Sequence, residues 1–186
     1  ADDAVTAAKI VDGTITAAKL ASDVGGASNI TDLSDALIES NSLYIGNDPS
    51  GTTTNTAQKN IAVGTTALDA ITSGSSNTAV GYDAMTALTT GASNTAIGEN
   101  SLSSLTDGTA NVALGRSTMY SNTSGDYNVA VGHGAAGQLT TGGHNTAIGY
   151  NALSSVTTNS SNIGIGSNTA PSATGSQNTA VGVGAC

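Results

Sequence analysis

Asn94-Thr95-Ala96-Ile97-Gly98 is one of eight related pentapeptides in this 186-residue chain. They start at Asn60, Asn77, Asn94, Asn111, Asn128, Asn145, Asn162 and Asn178, and they close on Gly64, Gly81, Gly98, Gly115, Gly132, Gly149, Gly166 and Gly182. The interval is 17 residues six times running and then 16, and the middle residue is Ala in every copy but Gly164. A fixed period of this length marks a repeat array.

Other positions keep the same period. With the Asn as position 1, a Thr stands at position 13 in Thr72, Thr89, Thr106, Thr123, Thr140, Thr157 and Thr174. A Gly follows two places later in Gly74, Gly91, Gly108, Gly125 and Gly142. Position 9 holds Leu68, Met85, Leu102, Met119, Ala136, Leu153 and Ala170; position 12 holds Ile71, Leu88, Leu105, Asn122, Leu139, Val156 and Ala173.

In the pentapeptide, aliphatic or β-branched residues alternate with Asn, Ala and Gly, a period of two that predicts a strand. The closing Gly predicts a corner needing positive φ or leaving no room for a Cβ. A second short strand is expected over positions 8–12, closed by the Thr-x-Gly turn. Two strands and two turns per 17 residues describe one coil of an all-β, parallel β-roll or β-solenoid. Identical residues then stack at about 4.8 Å, so eight units span roughly 34 Å. Stacked Asn side chains can form an amide ladder from coil to coil, or they can bond the turn of their own coil; both readings stay open. Thr in every unit suits a half-buried β surface.

Composition narrows the function. Leu, Ile and Val number eleven each, Phe and Trp are absent, and charged residues are 9 % of the chain, against roughly 25 % in an average domain. The only cations are Lys9, Lys19, Lys59 and Arg116, and the formal charge is −9. No basic stripe exists to attract phosphate backbones, so nucleic acid is not an expected partner. The apolar runs are a few residues long, so no membrane insertion is expected either. Cys186 is the single cysteine, which precludes a disulfide within one chain. It reads as a truncation point or a small buried apolar residue rather than a nucleophile. The first residue is Ala and no signal-peptide pattern follows, so the chain is expected to be a segment of a longer protein.

Three or four sizeable apolar side chains per unit are few to offset the ordering of 17 residues. Three chains round a threefold axis would pool them, and the Ala and Gly columns would let neighbouring backbones approach. A homotrimer is therefore expected.

The units from Asn60–Gly64 through Asn178–Gly182 resemble the head repeats of trimeric autotransporter adhesins, whose strand motif is a small polar residue, an aliphatic, Ala, an aliphatic and Gly. The resemblance implies a left-handed parallel β-roll and a homotrimer; the 17-residue period is longer than the usual head repeat and implies an extended turn on one edge. Near the start, Val5-Thr6-Ala7-Ala8-Lys9-Ile10 returns as Ile15-Thr16-Ala17-Ala18-Lys19-Leu20. This decapeptide is similar to linker repeats of bacteriophage tail fibres, and the 17-residue array is similar to arrays in tail-fibre and tail-appendage proteins of phages. The organisation expected is linker repeats over 1–29, a short trimeric helical stalk over 30–40, a connector over 41–59 and the array over 60–186. The stalk rests on apolar residues 30, 33, 37 and 38 at helical spacing, with Thr31 or Ser34 as N-cap. Leu43-Tyr44-Ile45-Gly46 is a candidate imperfect first coil.

Chemistry-bearing groups do not converge. His133 and His144 occupy positions 6 and 17 of their units, and no His-x-His or Cys-x-x-Cys pattern exists, so no metal site is assigned. Asp69, Asp83, Glu99, Asp107 and Asp126 have no partner at fixed spacing. Gly164-Ile165-Gly166 is a repeat corner, not a phosphate loop, and no P-loop lysine accompanies it. No catalytic residue or cofactor is assigned, and no enzyme is expected. Position 6 is Thr65, Tyr82, Glu99, Arg116, His133, Tyr150, Ser167 and Val183, which no packing rule unifies, so it is expected to face solvent. Arg116, Tyr120, Tyr127, His133, His144 and Tyr150 are the candidate receptor contacts, because exposed aromatics with polar tips are frequent where proteins grip saccharide or protein surfaces. The bland reading makes them isolated turn residues.

The expected role is a structural and host-attachment segment of a trimeric viral tail fibre, located in the virion. Its partners would be a host-surface glycan or protein and other fibre or tail proteins. The alternative is the head of a bacterial trimeric autotransporter adhesin at the cell surface, told apart by a carboxy-terminal β-barrel anchor. A third reading, an ice-binding solenoid, needs regular Thr-x-Thr pairs, whereas position 13 is followed by Thr, Ser or Asp and then mostly Gly.

Overall fold

The computed structural model describes residues 36–39, 41–46, 56–169 and 175–186. The linker repeats expected over 1–29 lie outside the described residues, as do 30–35 of the expected stalk and 47–55 of the connector.

Ten strands are described: β1 (Ala36–Glu39), β2 (Ser42–Ile45), β3 (Ile61–Val63), β4 (Thr78–Val80), β5 (Thr95–Ile97), β6 (Val112–Leu114), β7 (Val129–Val131), β8 (Thr146–Ile148), β9 (Ile163–Ile165) and β10 (Thr179–Val181). They form one sheet in chain order. From β2 to β10 every pairing is parallel. Thr95 lies beside Thr78 and Ile97 beside Val80, so the sequence period is the coil of an all-β solenoid.

From β3 to β10 the three residues of each strand divide by pleat. The middle Ala is sealed inside, as at Ala79, Ala96, Ala113 and Ala130, while the flanking aliphatic and Thr side chains are part-exposed or exposed. The interior is completed by position 9 (Leu68, Met85, Leu102, Met119 and Leu153) and position 12 (Ile71, Leu88, Leu105 and Leu139), all buried. Asn122 interrupts the position-12 column without an orphaned amide: it accepts from the Gly125 N–H at 2.8 Å and donates to the Gly125 carbonyl at 3.4 Å.

The second strand expected over positions 8–12 is absent among the described residues. Two consecutive four-residue turns replace it. Ala67 N–H donates to the Gly64 carbonyl at 3.2 Å and Ile71 N–H to the Leu68 carbonyl at 3.2 Å, and the pattern repeats in later coils. Residues at positions 7 and 9 adopt positive φ, among them Asp83 (54°), Met85 (50°), Asn100 (57°) and Leu102 (51°). Position 7 is the third place of the first turn, and position 9 that of an overlapping turn closed by Asp69 N–H on the Thr66 carbonyl at 3.4 Å; a left-handed residue at that place is the type II requirement. It lets the chain reverse tightly while the position-9 side chain still enters the core. The apolar column was thus legible, but its backbone is a turn held to its neighbour by single bonds such as Leu68 N–H to Ala84 carbonyl at 3.1 Å.

Residues 36–39, expected within a helical stalk, form a strand antiparallel to β2, with Glu39 beside Ser42. Asn41, in the connection, takes φ 62°, a conformation Asn tolerates in two-residue hairpin turns. Pairing satisfies the backbone groups of β2, which would otherwise be an open edge. Of the imperfect first coil the strand is described: β2 pairs with β3 in parallel, Tyr44 beside Ala62.

Tight backbone approach occurs between coils of one chain, which corrects the reading that the Ala and Gly columns serve contact between chains. The Ala column is enclosed by its own coil. Gly98 has φ 131°, and a Cβ there would lie 2.5 Å from the Gly115 carbonyl oxygen.

Candidate functional site

Two ladders hold the coils in register. Each Asn of the repeat is buried, except that Asn178 is part-buried. Asn111 is representative. Its Nδ2 donates to Asn94 Oδ1 at 3.1 Å and to the Gly125 carbonyl of its own coil at 2.7 Å; its Oδ1 accepts from Asn128 N–H at 3.0 Å and Asn128 Nδ2 at 3.1 Å. The amide-ladder and local-turn readings are therefore both realised, one per amide hydrogen. The ladder runs from Asn60 to Asn178, and Ser42 extends it at one end by accepting from Asn60 N–H at 2.9 Å. A second ladder joins the Thr residues of position 13: Thr89 N–H donates to the Thr106 carbonyl at 2.9 Å and Thr89 Oγ1 to the same oxygen at 3.0 Å. These Thr lie in bends, not on the strand surface expected for them.

The six candidate contact residues are exposed, but they fall into two groups. Arg116, His133 and Tyr150 at position 6, with Tyr120 at position 10, lie on the turns that follow the strands. Tyr127 and His144 at position 17 lie before the strands, at the opposite end of each three-residue strand. The coil period pairs their rings. Tyr127 and His144 stack at 5.0 Å between centroids and 10° between planes, and His133 and Tyr150 at 5.5 Å and 15°. Such pairs contribute about 0.5–1.5 kcal/mol beyond their buried area. Arg116 Nε lies 3.3 Å from Glu99 Oε2, with both side chains roughly half exposed, a pairing that solvent screening leaves weak. Position 6 faces solvent as expected, part-exposed at Ser167 and exposed elsewhere, Tyr82 included.

Tyr120 and His133 share a recess of about 290 Å³ with Ser117, Gly134, Gly137, Gln138, Asn151 and Ser154. These last six were not singled out from the sequence. The available signal was that positions 7 and 10 are both Gly in one coil only, at Gly134 and Gly137.

Among the described residues, no three His, Cys, Asp or Glu side chains converge as a metal site would require, and no helix is long and apolar enough to cross a membrane. Cys186 is exposed, which removes its reading as a buried apolar residue. No protein-family model, curated protein or solved structure matches the chain.

Proposed function

We propose that this chain is a structural and host-attachment segment of a homotrimeric viral tail fibre, a stiff shaft whose variable turns meet the host surface. The observation that carries the reading is the outward face of the sheet. Its side chains come from strand positions 2 and 4, all Thr, Val, Ile or Leu from β3 to β10, with no charge. Ile61, Ile97, Ile148 and Ile165 are 38–44 % exposed. Parallel sheets are almost always covered on both faces, and contiguous exposed apolar surface marks an interface. Three copies packed on this face would cover it and leave the turns bearing Tyr120, Tyr127 and Tyr150 outward. Stiffness follows from coil-to-coil stacking, and avidity from three identical faces.

Native mass measurement tests the assembly. The expected result is a trimer, which Val80→Asp and Ile97→Asp together convert to monomer while coil protection against hydrogen exchange is kept. A folded wild-type monomer would overturn it. The ice-binding reading is disfavoured because Val112 and Val129 break the run of outward Thr78 and Thr95; thermal hysteresis near zero is the expected measurement.

A further inference from the structure

We infer that the recess over Gly134 and Gly137 binds one ring of a neutral pyranose sugar; this rests on the attachment reading above and names the ligand of that surface. In the flanking coils, positions 7 and 10 carry side chains: Ser117 and Tyr120 on one side, Asn151 and Ser154 on the other. The coil between them is bare at both places, and the missing side chains leave the recess. The two glycines also fit their neighbours. A Cβ on Gly137 would lie 3.1 Å from the Tyr120 ring, and one on Gly134 would run against Asn151 Oδ1. The Tyr120 ring thus rests close over Gly137 while remaining 43 % exposed, a platform held on one side and open on the other. His133, at the recess, is stacked on Tyr150.

The lining chemistry selects the ligand. It offers an aromatic ring beside amide, hydroxyl and imidazole groups, and it contains no Lys, Arg, Asp or Glu. A pyranose matches this, with an apolar C–H face for the ring and hydroxyls for the polar groups. A phosphate or carboxylate would meet no cation in the lining, on a chain whose formal charge is −9. The volume falls at the small end of ligand pockets, enough for one sugar ring and too little for a peptide segment. Tyr127 and His144, at the other end of the strands, are not part of the recess.

Saturation-transfer NMR on the intact protein tests this with methyl glycosides of glucose, galactose, mannose and N-acetylglucosamine, and with the anionic methyl sialoside as comparison. At least one neutral glycoside should bind with Kd in the millimolar range, and the sialoside should not. Tyr120→Ala and Gly134→Asn should each weaken binding by about tenfold or more, and Tyr82→Ala, an exposed ring in a coil away from the recess, should leave it unchanged. Gly134→Asn fills the recess with a residue already carried at this position, at positive φ, by Asn100, Asn151 and Asn168, so the fold is retained. Circular dichroism and hydrogen exchange like the wild type verify that. Absence of transfer from every neutral glycoside, binding of the sialoside alone, binding that survives both recess variants, or capture of a host-surface protein that Tyr120→Ala and Gly134→Asn weaken in place of any glycoside would overturn the assignment. The recess is built by one chain, so a monomer found by native mass would sink the trimeric shaft without touching this result, and a trimer that binds no glycoside would do the reverse.

Discussion

Replacing Asn111 by Ala removes four hydrogen bonds at one buried side chain, and the structure says which groups lose everything. Asn128 Nδ2 keeps the Gly142 carbonyl, Asn94 Oδ1 keeps Asn111 N–H, and the Gly125 carbonyl keeps Asn122 Nδ2. Asn128 N–H, whose bond is to Asn111 Oδ1, is left buried and unpaired. An orphaned buried donor costs about 1–3 kcal/mol, and each of the other three lost bonds about 0.5–1.5 kcal/mol. The sum is about 2.5–7.5 kcal/mol, a large share of a domain's total stability. Asn178 is an internal control: it is part-buried and donates to Asn162 Oδ1 at 3.0 Å, so Asn178→Ala should cost about 0.5–1.5 kcal/mol. Because each coil touches only its neighbours, the damage in Asn111→Ala should be local. Hydrogen exchange read by peptide mass should show lost protection over residues 95–131 and near-native protection over 163–181. A loss below about 1 kcal/mol, or one equal to that of Asn178→Ala, would refute the argument that the ladder holds the coils together. Loss spread evenly along the array would refute the nearest-neighbour account.

Gly98→Ala sets a Cβ against the Gly115 backbone at φ 131° and should destabilise by about 3–5 kcal/mol, whereas Gly182→Ala, with nothing within 4 Å, should incur only backbone strain of about 1–3 kcal/mol; denaturation midpoints compare the two. Leu105→Ala empties a fully buried position-12 site whose Cδ1 fills the space beside Gly108. It should lower stability by about 2–5 kcal/mol, read from the same midpoints, and a change under about 1 kcal/mol would mean the interior is looser than its packing implies.

The strand positions were legible because parallel stacking writes its period directly into the chain. Thr78, Thr95, Val112 and Val129 are neighbours in space for the same reason that they are 17 apart in number. The Asn column was legible as a ladder candidate, but its geometry was not, since an amide bonds equally well to its own turn or to the next coil. Positions 8–12 misled because burial leaves the same apolar mark on a strand and on a turn. Leu68 and Met85 reach the interior from positive φ, and nothing in a hydrophobic pattern distinguishes that from an extended residue. Ala36–Glu39 misled for a related reason: its apolar spacing permits a helix, and the neighbouring β2, with a backbone edge to satisfy, draws it into the sheet.

Sequence alone determined the repeat, its length, its strand and the poverty of charge, because these depend on residue identity and spacing. Tertiary structure alone decided that Tyr127 and His144 are parted from Tyr120, His133 and Tyr150, and that Gly134 and Gly137 open a recess rather than merely permit a corner. The physical reason is that a column's members share a line in space whatever they are, while the relation between two columns depends on how the backbone turns between them.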